Sequence, residues 1–375
     1  MKRFSDAITV SAFFTIIVMF AVSCIFFQNR LPFRKALSDN EELPETLTAY
    51  THDNFPLGEN WRSLYANLSL MTGRRDISGV YISKDRLIKL PEGKKDNTEE
   101  NVAFINEFAS SGDTPVYLML APTAAGIYSA ELPVYLSGSS QREKINGIYM
   151  ELDESITSID AYYSIYSARD EYVFYRTENL WTSFGAYYAY CDSVRTLGFE
   201  PWTMENYDQE YVLSGFTGSL FERVPLGRIE QDRINIFRSK YQSPVTSVVF
   251  TDGDEERTSS SVYFRSALKS DRKTDVYILG DRYERTDIIT SRTDAPSLLV
   301  IKGSYANTLM PFYTSHYSRI TMIDPEKLKA SGRSIYDELD PSDYDQILIM
   351  FDIESFCSSN SFGSLVEEDK GNTAQ

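Results

Sequence analysis

The chain has 375 residues, enough for one large domain or two of ordinary size. Its 42% hydrophobic and 14% aromatic content is typical of a globular fold and argues against a disordered chain. The formal net charge of −17 argues against nucleic acid as a partner, and against docking of the globular part on an anionic lipid surface, because both need a basic surface.

The N-terminus carries an apolar segment that is long enough to cross a bilayer. Residues 7–27 form an uncharged run of 21 residues. We predict a single-pass signal anchor in the cell membrane, with residues 1–6 in the cytoplasm and the rest of the chain outside. A cleaved signal peptide is the main alternative, but its apolar core is usually shorter and ends in small residues. Cys24 weakly resembles a lipoprotein cleavage site, yet apolar residues continue past it.

The rest of the chain is predicted to form one domain. Residues 28–60 are a polar stalk, residues 61–366 form the globular domain, and residues 367–375 are a loose tail. Helical spacing predicts helices over residues 61–72, 101–110, 141–156, 183–196 and 305–317. Strand patterns predict a hairpin over 79–88 and strands over 115–121, 172–176, 211–224, 244–251, 276–279, 297–301, 319–323 and 346–351. Alternating strands and helices indicate an α/β fold, with a mainly parallel sheet flanked by helices.

The cysteines predict neither a redox site nor a metal site. Cys191 and Cys357 could form a disulfide, but two free, mostly buried thiols are the preferred interpretation. No spacing of cysteines and histidines is typical of zinc. We therefore expect no metal and no cofactor.

Candidate chemistry lies in loops that follow predicted strands, because parallel sheets bind ligands at the carboxyl ends of their strands. In the loop over residues 302–307, Ser304 follows an apolar strand and precedes a helix. Its hydroxyl could act as a nucleophile, with the backbone N–H groups of Tyr305 and Ala306 receiving an oxyanion. The alternative is that Ser304 only caps the helix.

Two stretches of the sequence resemble the DHHW protein family. Residues 175–190 read YRTENLWTSFGAYYAY, where the family has Arg-Thr followed by Asp-His-His-Trp. Residues 298–312 read LLVIKGSYANTLMPF, where the family has Lys-Asp-Ser-Tyr-Ala-Asn. The family is similar to alginate O-acetyltransferases and SGNH hydrolases. The resemblance therefore implies an SGNH-hydrolase-like fold and a site in which Ser, His and Asp act together.

The same resemblance implies a serine site that has lost its base. By position, Ser304 corresponds to the nucleophile, Glu178 to the acid that orients the base, and Leu180 to the histidine base. Leucine cannot accept a proton, and a triad without its base retains only binding and oxyanion stabilisation. The chain has two histidines, His52 and His316, and neither lies in the two stretches. Glu178 could replace the base if burial raised its pKa.

Further positions are expected to line the cleft. Asn179 replaces the first histidine of the family motif, and Gly303 replaces an aspartate. The expected binding residues are Trp181, Asn179, Tyr305, Asn307 and Thr123. Asp352 and Glu354 follow the last predicted strand and are interpreted as solvated loop carboxylates.

Two functional hypotheses follow. The first is a catalytically impaired, membrane-anchored extracytoplasmic protein that binds a cell-envelope glycan or an assembly partner. The second is an active serine O-acyltransferase or esterase that acts on cell-surface polysaccharide and uses a base other than histidine. We favour the first because the histidine position holds Leu180 while Ser304 is retained.

Overall fold

The computed structural model describes residues 10–19, 22, 57–137, 140–241, 244–269, 277–280 and 282–366. The chain forms two compact units. The first comprises the chain up to Arg75 together with Glu222–Gly227, and the second comprises Asp76–Phe221 and the chain from Arg228 onwards.

The first unit contains helical residues 10–19 and helix α1, Gly58–Met71. Among the described residues, no helix is both long enough and apolar enough to span a membrane. Most of the remainder of the predicted anchor, the stalk up to residue 56 with His52, and the predicted tail lie outside the described residues.

The described residues of the second unit form thirteen strands in three sheets. In chain order the strands are β1 (Asp76–Ile77), β2 (Val80–Ile82), β3 (Leu87–Lys89), β4 (Val116–Ala121), β5 (Ile156–Ile159), β6 (Tyr207–Phe216), β7 (Asp232–Ser239), β8 (Val245–Asp252), β9 (Glu255–Ser259), β10 (Arg285–Thr290), β11 (Ser297–Lys302), β12 (Arg319–Ile323) and β13 (Gln346–Asp352). Strands β1 to β3 form a small antiparallel sheet, and β6 pairs with β7 in a separate hairpin.

The further α-helices with described bounds follow α1 along the chain, in addition to short 3-10 turns. They are α2 (Thr98–Ser110), α3 (Ala124–Ile127), α4 (Val134–Ser137), α5 (Gln141–Met150), α6 (Tyr162–Ser167), α7 (Ser183–Thr196), α8 (Ser219–Arg223), α9 (Ala306–Tyr313), α10 (Pro325–Ala330), α11 (Ile335–Glu338) and α12 (Ile353–Ser358).

An eight-stranded mixed sheet forms the centre of the second unit, in the order β5-β4-β13-β11-β12-β10-β8-β9. The first five strands are parallel, and the last three add antiparallel pairs. The central parallel strands β11 and β13 are buried apolar runs, as expected when helices cover both faces of a sheet. The predicted α/β class is therefore correct, but the antiparallel extension was not predicted.

Some predicted elements are wrong in extent. The helix predicted to reach residue 156 ends at Met150, because the Asp153 carboxylate accepts the Ser155 N–H at 2.9 Å and begins a turn into β5. The predicted strand over 211–224 occupies Tyr207–Phe216 and is followed by α8. Strands β5, β7, β9 and β10 were missed.

Two predicted strands are reduced to single bridges. Over residues 172–176, Phe174 pairs only with Trp181, because this segment folds back on itself and does not join the sheet. The described part of the strand predicted over 276–279 forms one bridge, from Ile278 to Tyr263. Cys191 and Cys357 are free thiols, so the disulfide alternative is wrong.

Candidate functional site

A cavity of about 480 Å³ opens beside the carboxyl ends of β11 and β13, within the second unit. The predicted nucleophile Ser304 lines it, together with the neighbouring Tyr305. Asp352 and Glu354, which follow the last strand, line it as well. The sheet therefore places a ligand-sized cavity at the edge where parallel sheets bind ligands.

The backbone presents Ser304 to this cavity. Gly303 leaves β11 with its N–H donating to the Met350 carbonyl at 2.8 Å, so the chain stays close to β13. Ser304 is exposed, although both of its sequence neighbours are buried. Helix α9 begins later, at Ala306, and no side chain caps it. The interpretation of Ser304 as a helix cap is therefore wrong, and its hydroxyl remains available to a ligand.

The structure brings the two motif stretches together beneath the cavity. The fully buried Trp181 ring donates from Nε1 to the Tyr305 carbonyl oxygen at 3.0 Å. The Tyr305 hydroxyl donates to the Asn179 carbonyl oxygen at 3.2 Å, and the two aromatic rings lie 5.0 Å apart. Residues that are more than 120 positions apart in sequence thus form one unit that supports the Ser304 loop.

Glu178, at the position of the orienting acid, has other partners. Its carboxylate accepts from the Ser219 hydroxyl at 2.6 Å, the Ser219 N–H at 2.7 Å and the Asn179 N–H at 2.7 Å. The chain opposite is close: a Cβ on Gly218 would lie 2.6 Å from the Cβ of Glu178. Glu178 is buried and is not among the residues that line the cavity. These hydrogen bonds hold in place the loop over residues 176–180, which we call the motif loop.

A buried aspartate on the neighbouring hairpin also fixes this loop. The Asp232 carboxylate accepts from the backbone N–H groups of Arg176 and Thr177, both at 2.8 Å. It also accepts from the Thr177 hydroxyl and, at 2.6 Å, from the Tyr172 hydroxyl. Asp232 is fully buried. Sequence reasoning missed this residue because nothing near it indicates which loop it contacts.

Leucine, not histidine, occupies position 180, to which the family resemblance assigns the base. Leu180 is half-buried and packs against the hydrophobic core. His316 lies in the core, where its Nε2 is 2.7 Å from the Tyr190 hydroxyl. The same hydroxyl accepts the Trp202 N–H at 2.7 Å, so both of these contacts lie within the core. Burial lowers the pKa of His316 to about 4, aided by the positive charge of Arg292. His316 is thus a neutral core residue.

The expectation of solvated carboxylates after the last strand is wrong. Asp352 is buried and caps α12 by accepting the Ser355 N–H at 3.0 Å. Glu354 is half-buried and accepts hydrogen bonds at 3.1 Å from the Thr123 hydroxyl and from Nε2 of Gln141. Burial, followed by the charge of Asp352, raises the pKa of Glu354 to about 7.

Strand register brings Asp352 to the same sheet edge as Ser304, and Glu354 lines the same cavity. Lys302 of β11 is level with Met350 of β13. Two residues further along both strands, Ser304 and Asp352 therefore reach the same sheet edge. The charges of Asp352 and Glu354 both act on the buried Tyr305 hydroxyl, whose pKa is raised well above its usual value, mainly by burial. From sequence, the only sign that Glu354 belongs to the Ser304 cavity is its position just after a buried strand.

The predicted binding residues divide into two groups. Asn179 and Tyr305 line the cavity together with Ser304. The other three, Trp181, Thr123 and Asn307, do not line it. Trp181 and Thr123 contact residues that do line it, Tyr305 and Glu354. The Asn307 side chain instead accepts from the buried Lys302 ammonium at 3.2 Å.

Charged side chains line the outer part of the cavity in neighbouring pairs. Lys144 lies 2.8 Å from Asp96, and both Lys89 and Lys94 lie within 3.4 Å of Glu92. With Lys95, four lysines line the cavity against the four acids Glu92, Asp96, Asp352 and Glu354, so the formal charges of the lining balance. In the part of the chain that the structure describes, no group of three or more His, Cys, Asp or Glu residues could hold a metal ion. The arrangement is suited to a polar ligand with many hydroxyl groups.

The fold and the serine loop define an α/β protein with its site at the carboxyl edge of a mainly parallel sheet. The sequence model of the DHHW protein family matches residues 60–323, so the chain belongs to this family. The resemblance inferred from the two motif stretches is thereby confirmed.

Solved structures support the same fold. A DHHW family protein from Eubacterium siraeum superposes with a TM-score of 0.60 at 20% identity, over 76% of this chain and 93% of that one. PatB1 from Bacillus cereus superposes with a TM-score of 0.63 at 16% identity, over 76% of this chain and 98% of that one. A second PatB1 structure, with a sulfonyl adduct, superposes with a TM-score of 0.63 at 14% identity, over 76% of this chain and 97% of that one. No curated protein sequence gives a significant match.

Proposed function

We propose that the chain is a catalytically impaired, membrane-anchored extracytoplasmic protein that binds a cell-envelope glycan or an assembly partner in the Ser304 cavity. One observation carries this proposal: an exposed Ser304 faces a ligand-sized cavity that no described histidine lines, while Leu180 occupies the position of the base. Binding requires the cavity and its polar lining, both of which are retained. Proton transfer requires the group that is missing.

Binding by a panel of cell-envelope polysaccharides tests the proposal. Ser304→Ala removes the hydroxyl and leaves the cavity open, so we expect glycan affinity within about threefold of the original chain. Ser304→Trp places a large ring in the same space and should abolish binding. Turnover of acyl esters that Ser304→Ala eliminates would contradict the proposal. If the chain binds no glycan in the panel, the ligand of the proposal is the assembly partner and not a glycan.

A second candidate function is an active O-acyltransferase or esterase, and one observation favours it. Glu354 shares the cavity with Ser304, and its pKa of about 7 lets it accept a proton near neutral pH. The Ser304 proton would pass to the Glu354 carboxylate as Oγ attacks an acyl ester, and the departing alcohol would take that proton. Glu178 is less suited to this role, because three donors occupy its oxygens.

Covalent labelling separates the two functions. PatB1 forms a sulfonyl adduct, so a sulfonyl fluoride is a suitable probe. An active site with Glu354 as base predicts fast labelling that Ser304→Ala abolishes and that Glu354→Gln slows about 100-fold. The impaired protein predicts slow labelling that Glu354→Gln changes less than about threefold.

A further inference from the structure

Helix α1 in the first unit turns its apolar side outwards. At 3.6 residues per turn, its exposed apolar residues fall within an arc of about 120°. The opposite side contains the buried Ala66 and Ser69. The outward stripe consists of Leu57 (67% exposed), Trp61 (48%), Leu64 (49%), Tyr65 (53%), Leu68 (52%) and Met71 (83%). Soluble proteins usually turn such a stripe inwards, so this surface is suited to an apolar partner.

The position of α1 in the chain indicates which partner this is. The apolar run over residues 7–27 lies upstream, separated from α1 by residues 28–57. A chain of that length spans at most about 100 Å even when fully extended. If the run crosses a bilayer, α1 is therefore tethered within about 100 Å of that bilayer, and tethering raises its local concentration at the bilayer surface.

The composition of α1 favours the same partner. Trp and Tyr, which the stripe contains, are enriched where lipid headgroups meet the apolar interior. Residues 57–75 contain Arg62, Arg74 and Arg75 against Glu59, so this segment carries a formal charge of +2 in a chain of −17. The overall charge opposes attraction to anionic lipid, but it does not oppose insertion of apolar side chains beside a locally positive segment.

We propose that α1 is an interfacial helix whose outward stripe inserts into the outer surface of the bilayer that holds residues 7–27. This inference rests on the membrane anchoring in the proposed function. Because apolar insertion drives the contact, it should persist in neutral phosphatidylcholine and in high salt. Its consequence is that the start of the globular region is fixed at the membrane surface.

Quenching of tryptophan fluorescence by brominated phosphatidylcholine tests the proposal on the full chain in vesicles. The chain has three tryptophans, of which Trp181 is fully buried. We expect brominated lipid to lower the emission by about one third relative to ordinary phosphatidylcholine, and Trp61→Phe to abolish this loss. Trp202→Phe is the matched control and should leave the quenching in place. The double variant Leu64→Ser/Leu68→Ser should weaken the quenching at least threefold.

Flotation of the same vesicles distinguishes the two ways in which the inference can fail. A chain that floats while Trp61 is not quenched overturns the interfacial helix and leaves the anchoring intact. A chain that does not float overturns both. If brominated lipid does not quench Trp61 and cross-linking captures a dimer in which Trp61 is shielded from solvent, the stripe binds a second copy of the chain. That result overturns the proposal.

Discussion

Asp232→Asn should loosen the motif loop and destabilise the second unit. The carboxylate is fully buried, and its Oδ2 accepts both the Thr177 N–H and the Thr177 hydroxyl. Whichever way an asparagine amide is oriented, its NH₂ group replaces one oxygen and faces donors. Bonds to a charged acceptor contribute about 1.5–3 kcal/mol each, and a buried donor without a partner costs about 1–3 kcal/mol. We therefore expect a loss of about 3 kcal/mol.

Thermal unfolding of the full chain in mild detergent, followed by near-UV circular dichroism, measures this loss. A loss of about 3 kcal/mol corresponds to a decrease in Tm of roughly 5 °C for a unit of about 300 residues. The matched control is Asp208→Asn on the neighbouring strand, where the side chain is exposed and the change should stay below about 0.5 kcal/mol. If Asp232→Asn unfolds like the control, the loop does not depend on this carboxylate.

Three further predictions concern His316 in the core and Glu354 and Leu180 at the site. The folded-state pKa of His316 is about 4, below the ordinary 6.5, so the unfolded chain binds more protons between these values and stability falls as pH falls from 6.5 to 4, by about 3 kcal/mol. His316→Gln should flatten this slope in pH-dependent denaturant unfolding, and an unchanged slope would contradict the neutral core histidine. The pKa of Glu354 is raised from 4.5 to about 7, so the folded chain binds the extra proton between these values and stability falls as pH rises through them. Glu354→Gln should therefore stabilise the chain more at pH 8 than at pH 4, and equal effects at both would refute the raised pKa. Leu180→His alone should leave sulfonyl labelling within about tenfold of the original chain, because Gly303 stands where the family resemblance implies an aspartate, and a Cβ there would lie 2.9 Å from the Phe351 ring. A single revertant with full esterase activity would contradict this.

The central strands could be predicted from sequence because each is a continuous apolar run. Strand β11 was expected over residues 297–301 and extends over Ser297–Lys302. Helix α7 was predicted at its observed bounds, because Thr182 supplies a recognisable N-cap. Strand β9 was missed, since it is polar and exposed and has no period that distinguishes it from a loop.

The candidate site could be predicted only where the motif stretches carried it. Ser304 was placed correctly at a sheet edge, because a serine after a buried strand has few other positions available. Glu354 was misread, since local sequence does not show whether a loop carboxylate will be buried. Its environment depends on Thr123 and Gln141, which are more than 200 positions away. Asp232 was missed for the same reason.

Several buried contacts support the serine loop and the motif loop. Trp181 and Tyr305 connect the two motif stretches, and Asp232 holds the backbone of the motif loop. The family resemblance assigns the base to the position that Leu180 occupies. Our proposal is that a cavity with these supports and with leucine at that position serves binding and not turnover.

The rate at which a sulfonyl fluoride labels Ser304 tests this account most directly. Intact mass spectrometry of the full chain, with Ser304→Ala as the blank, gives that rate between pH 5 and 9. We predict slow labelling that changes less than about threefold in Glu354→Gln and has no step near pH 7. Fast labelling that rises with a midpoint near pH 7 and falls about 100-fold in Glu354→Gln would establish a working base and contradict the account.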